Sequence, residues 1–138
     1  MQPESRGARS STGQFTGKYL SLTSFKRDGT GVATPVWFVA EGDRLFVLTG
    51  ADSLKVRRIL RNPAVAIAPC SATGRLRATA VPATAELLGR AEIPRVEALM
   101  RRKYRFDRIF ILPIYRLVQR LRDAGQDAEP AALAITPR

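Results

Sequence analysis

The sequence predicts a mainly β fold with a few α-helices: a small barrel of five or six mostly antiparallel strands. Three observations predict it. Short runs alternate apolar and polar residues with a period of two, turns rich in Gly, Asp and Pro separate them, and the segments with helical spacing are few. At 138 residues the chain suits one domain with a single core, with residues 15–138 forming the domain and residues 1–14, rich in Ser, Gly and Arg, a flexible arm.

Lys18 to Phe25 alternates Tyr19, Ser21, Thr23 and Phe25 with Leu20, Leu22 and Ser24, which is strand-like. Arg27-Asp28-Gly29 is turn chemistry, and Gly31 to Ala40 returns as the second strand of a hairpin. Glu41-Gly42-Asp43 turns again into Arg44 to Leu48, making a three-stranded meander. Ser53 to Arg61 breaks the alternation: Val56, Ile59 and Leu60 fall on one helical face, Asp52 or Ser53 caps the start, and Asn62-Pro63 ends the helix. Ala64 to Pro69 reads as a fourth strand. Arg75 to Val81 alternates as a fifth, continuing through Ala83 to Leu88 with Pro82 at an edge or bulge. Ile93, Val96, Leu99 and Met100 make an amphipathic helix with Pro94 in its first turn. Arg108 to Leu121 has a helical pattern interrupted by Pro113, and Ala131 to Thr136 is a closing strand.

Composition excludes much chemistry. There is no histidine, so Ser-His-Asp and Cys-His nucleophilic machinery and His-ligated metal sites are impossible, and no metal is expected. A single cysteine, Cys70, excludes an internal disulfide and a cysteine-rich zinc site; it reads as a small buried hydrophobe. No run of ~20 apolar residues is present, and the first residues lack the apolar core of a secretion signal, so a cytoplasmic protein is expected. If the protein is an enzyme, a cofactor is the simplest source of its reactive group. The formal charge of +11 favours anionic partners. Arginine supplies nearly all of it, since the only lysines are Lys18, Lys26, Lys55 and Lys103.

Thr34 to Pro63 is the most informative stretch. A strand, a turn and a second strand lead through Thr49-Gly50 into the short basic helix, which places Lys55 and Arg58 beside a helix N-terminus. Free backbone N–H groups and the helix dipole favour a bound phosphate there. An anionic ligand, a phosphorylated cofactor, is the reading this supports.

Three pieces of sequence carry a family resemblance: the ATPVWF strand, the LTG-x-x-S-x-K turn from Leu48 to Lys55, and the RNP-x-V-x-I-A-P-C run from Arg61 to Cys70. In order and spacing they resemble the split β-barrel flavin and deazaflavin oxidoreductases, and within these the pyridoxamine 5'-phosphate oxidase-like enzymes dependent on coenzyme F420. The resemblance covers Tyr19 to Leu88 and, more weakly, Glu97 to Tyr104. It implies a split β-barrel, a homodimer, and a cofactor ring in a groove at the subunit interface. Carried onto this chain, Thr34, Pro35, Val36 and Trp37 line the ring, Thr49, Gly50, Ser53 and Lys55 hold the phosphate with Arg58 nearby, and Cys70 sits near the ring. The FMN oxidases of this fold resemble a pattern with an arginine where Leu54 stands and another basic residue where Thr34 stands. Both charges are absent here, which favours F420 over FMN. The implied reaction is hydride transfer from reduced deazaflavin to an unsaturated or quinone-like small molecule, with Tyr19, Tyr104, Tyr115 or water as proton donor.

Three readings compete with an F420-dependent oxidoreductase. One is an FMN-binding oxidoreductase of the same fold, another a cofactor carrier without turnover, and the third, from a different class, a nucleic-acid-binding basic domain. Against the last, Trp37, Phe38 and Phe46 lie in apolar strands rather than among the basic residues, and no nucleic-acid partner is expected. Arg101 to Arg122 sets many arginines around the apolar IFILPIY from Ile109 to Tyr115. It reads as a solvated helix pair, a border of the cofactor or substrate mouth, or a peripheral contact with an anionic membrane.

Overall fold

The computed structural model describes residue 13, residues 15–104 and residues 130–138. Residues 1–12 and 14 of the expected arm at 1–14, and the helical pattern from Arg108 to Leu121, therefore lie outside the described residues.

Seven strands form one antiparallel sheet: β1 Tyr19–Phe25, β2 Gly31–Trp37, β3 Val39–Glu41, β4 Arg44–Gly50, β5 Ala64–Cys70, β6 Val81–Leu87 and β7 Pro130–Pro137. Helix α1, Leu54–Arg61, follows β4, and helix α2, Ile93–Tyr104, follows β6. The expected β1–β2 hairpin is present, paired from Tyr19 opposite Trp37 to Phe25 opposite Gly31. Its turn holds Gly29 at φ +89°, a conformation that favours glycine, and Asp28 accepts a 2.9 Å hydrogen bond from the Thr30 N–H.

The order across the sheet is β2-β1-β5-β6-β7-β4-β3. The expected single strand from Gly31 to Ala40 is in fact two, broken at Phe38, because its halves pair at opposite edges of the sheet. Only a strongly curled sheet lets one residue join its two edges, so the half-barrel closes along the seam where β2 meets β4. Phe38, with no exposed surface, turns into the barrel core at this break.

Alternation sorts the side chains into two layers. Leu20, Leu22, Leu45, Val47, Val65, Ile67, Leu133 and Ile135 fill the barrel interior, and Ile59 of α1 joins them. On the outer face Val96, Met100 and Tyr104 of α2 pack on Val39, Phe46, Ala132 and Ala134. The small alanines of β7 let the helix sit close to the sheet.

Arg75 to Ala80, expected as strand, makes only one bridge, Leu76 opposite Cys70, and ladder pairing begins at Val81. Here the alternation is that of an exposed loop, with no buried residue from Ala72 to Ala80. Pro82 lies in a central strand rather than at an edge. It pairs with Ala66, and the neighbouring ladder to β7 begins one residue later at Ala83, so its missing N–H disrupts nothing there. The closing strand Ala131 to Thr136 is present, extended by one residue at each end.

Candidate cofactor site

A groove of about 250 Å³ opens on the outer face at the closure seam. Pro35, Val36 and Trp37 of β2 form one wall, Leu48, Thr49 and Gly50 of β4 the other, with Tyr19, Lys55 and Ala72 completing it. The Tyr19 and Trp37 rings stand side by side, centroids 6.5 Å apart and inclined by 34°, because the two residues are cross-strand partners. The wall is therefore aromatic and apolar. Trp37 Nε1 is buried with no hydrogen-bond partner among the described residues.

Lys55 supplies the charge. Ser53 caps α1, its hydroxyl accepting from the Val56 N–H at 3.3 Å, and no acidic residue lies in the first turn. Val56 and Ile59 anchor the helix in the core, which leaves Lys55 on the flank facing the groove. Its ammonium donates to the Thr49 hydroxyl at 3.3 Å. Burial, and secondarily the nearby Arg58 charge, lowers the Lys55 pKa below its ordinary value. No carboxylate among the described residues compensates this cation. A half-buried, uncompensated ammonium beside a helix N-terminus is an arrangement that an anionic group would stabilise.

Six of the ten expected site residues line the groove: Pro35, Val36, Trp37, Thr49, Gly50 and Lys55. Thr34, Ser53, Arg58 and Cys70 lie outside its lining. Thr34 pairs with Leu22 and shares a face of β2 with Val36, which packs on the interior cluster and still reaches the groove; Thr34, two residues farther from Trp37, does not. Ser53 is engaged as the helix cap, and Arg58 lies one turn beyond Lys55, half-buried. Cys70 of β5 is buried directly opposite Tyr19 of β1, and burial raises its thiol pKa, which suits packing rather than reactivity.

Tyr19, Leu48 and Ala72 complete the lining beyond the expected set. The alternation of β4 (Phe46, Leu48, Gly50) and the pairing of Tyr19 with Trp37 were the signals for the first two; Ala72, in a loop, carries none. Of the expected proton donors, Tyr19 is at the groove and Tyr115 lies outside the described residues. Tyr104 is only 2% exposed and its hydroxyl is occupied, accepting from the Phe38 N–H at 3.3 Å and placing its one proton between the Lys18 carbonyl at 2.9 Å and the Phe38 carbonyl at 3.0 Å. Burial also raises its pKa.

Arg102 and Lys103, from the start of the basic segment, border a different and larger cavity of about 450 Å³, walled also by Phe15, Phe38 and Leu99. Lys103 is already partnered there. It donates to the Phe38 carbonyl at 2.8 Å and lies 3.5 Å from the centre of the Phe38 ring. Positive charge thus borders both cavities, but at the larger one the Lys103 ammonium has a carbonyl and a ring face, whereas Lys55 has a single hydroxyl. No cluster of residues suited to a metal occurs among the described residues.

The sequence pattern of the pyridoxamine 5'-phosphate oxidase family matches residues 16–110, from before β1 to beyond α2. The chain belongs to this family. No curated protein matches the sequence. Among solved structures, the chain is similar to the heme storage protein HutZ of Vibrio cholerae, at 21% identity and a TM-score of 0.63, covering 99% of this chain and 89% of that one. An FAD-binding protein of Mesorhizobium loti gives 9% identity and a TM-score of 0.56 over 100% of this chain and 89% of its own. An F420 reductase gives 15% identity and a TM-score of 0.50, covering 91% and 90%. At these identities the likeness is one of fold. In this pyridoxamine 5'-phosphate oxidase family member, the seven-stranded half-barrel brings an aromatic wall and an uncompensated lysine together at one seam.

Proposed function

We propose that the protein is a coenzyme F420-dependent oxidoreductase of the cytoplasm, acting on an unsaturated or quinone-like small molecule. The observation that carries this reading is Lys55, uncompensated and half-buried at the start of α1, next to the Tyr19–Trp37 wall. The lysine would hold a phosphate and the two rings would bound the cofactor's ring system, with Thr49 orienting the ammonium. Reduced deazaflavin, when bound, supplies the hydride; the residues of the groove bind, orient and exclude water. Leu54, 63% exposed where the resemblance sets an arginine for FMN, leaves one strong phosphate contact fewer, which favours F420 over FMN.

A groove of about 250 Å³ is smaller than the ~300–1,000 Å³ common for organic ligands, and a second subunit across the seam would supply the missing wall. We therefore take the functional unit to be a homodimer.

Parallel titrations with F420 and FMN, followed by a substrate screen with the bound cofactor reduced, test the proposal. We expect F420 to bind more tightly by at least about tenfold, a difference of ~1.4 kcal/mol. Tighter FMN binding would make the protein a flavin enzyme of the same fold. Tight F420 binding without turnover of any acceptor would support a carrier, and copurifying nucleic acid released by salt would support the basic-domain reading.

A further inference from the structure

Helix α1 has a face that the cofactor groove does not use. With Val56 and Ile59 buried, the helical repeat turns Leu54, Arg57, Leu60 and Arg61 outward. Leu54 and Leu60 are each 63% exposed, more than any other large hydrophobic side chain among the described residues. Six residues apart, they stand about 9 Å apart along the axis, with Arg57 and Arg61 between them around the helix. Arg61 also donates to the Phe25 carbonyl at 3.1 Å, which ties α1 to the β1–β2 turn and brings exposed Lys26 and Arg27 to the same end of the barrel. Two carboxylates share this end of the barrel, Asp52, which pairs with Arg57 at 2.9 Å, and Asp28 in the turn; against the four cations Lys26, Arg27, Arg57 and Arg61 they leave the surface net positive.

We propose that this end of the barrel, α1 with the β1–β2 turn, docks on an anionic phospholipid surface. The leucines would enter the boundary between headgroups and acyl chains, while Arg57, Arg61, Lys26 and Arg27 meet lipid phosphates, their long stems covering apolar surface. Charge decides against a second copy of this chain: a symmetric contact here would oppose the same cations to themselves. Exposed leucines decide against nucleic acid, which would engage the cations and leave Leu54 and Leu60 in water.

Vesicle sedimentation tests this without any cofactor, so its outcome is independent of the cofactor proposal. Wild type should sediment with phosphatidylcholine–phosphatidylglycerol vesicles and not with phosphatidylcholine alone, less so as salt rises. The double variants Leu54→Ser with Leu60→Ser, and Arg57→Gln with Arg61→Gln, should each lower the partition coefficient by about tenfold or more, with circular dichroism unchanged. Leu60→Ser alone serves if the double leucine variant is unstable, and should still weaken binding. Absence of sedimentation overturns the proposal. So does a leucine variant that partitions as wild type does; such a variant, if it also bound a single-stranded oligonucleotide as well as wild type, would mark a surface that reads charge alone.

Discussion

Two lysines differ in how their charge is met. Lys55 has one neutral hydrogen-bond partner and a like-charged neighbour, whereas Lys103 has a carbonyl and a ring face. Lys55→Ala should remove a charge-assisted hydrogen bond of about 1.5–3 kcal/mol and weaken F420 binding by roughly ten- to a hundredfold in a folded protein. Unchanged affinity by titration would move the phosphate elsewhere. For Lys103, burial lowers the pKa to about 8 from 10.5. Between those values the unfolded chain binds one more proton than the folded chain, so stability rises with pH across the window. Wild type should therefore gain on Lys103→Gln in urea denaturation as pH rises from about 8 toward 10.5. A pH-independent difference would mean that the Phe38 carbonyl and ring hold the proton on, offsetting desolvation. Sequence placed Lys55 at the site because helix start, turn and charge coincide in one local run. It left Lys103 unassigned, since Phe38 lies far away along the chain.

Among the elements, α1 was the most legible because its boundaries are written in side chains: Ser53 at the cap, Asn62-Pro63 at the exit, Val56 and Ile59 at helical spacing. Its cap residue, Ser53, is also an expected phosphate ligand, and the cap uses only its acceptor side. Ser53→Ala should cost about 0.5–2 kcal/mol of stability by chemical denaturation, with F420 affinity nearly retained. Equal losses in stability and binding would return Ser53 to the ligand. Other elements show the limits of local pattern. Arg75 to Ala80 alternates as a strand would, yet the loop there has a single bridge, since alternation records neither a pairing partner nor burial. Gly31 to Ala40 reads as one strand because nothing local distinguishes Phe38 from its apolar neighbours. The break is imposed by which strands lie at each edge. Thr34 shows the same limit at the site: its position in the motif is readable, but how far along β2 the groove extends depends on where β4 meets it across the seam.

At the scale of the whole molecule, fold class came through clearly, since periodicity and turns depend on near neighbours. Strand order did not, because pairing β4 with β7 joins residues far apart in sequence. The half-groove at the seam bears on assembly. Light scattering at micromolar concentration should show a dimer, and full cofactor affinity in a stable monomer would count against a site shared between subunits. The position of β7 has a consequence for biosynthesis. This strand, late in the sequence, sits between β6 and β4 in the middle of the sheet. While a nascent chain still lacks it, both flanking strands present unpaired backbone, two templates for intermolecular pairing rather than one protected interior. The sheet can therefore be completed only after β7 has emerged from the ribosome, and until then β6 and β4 are held by their other neighbours, β5 and β3, alone.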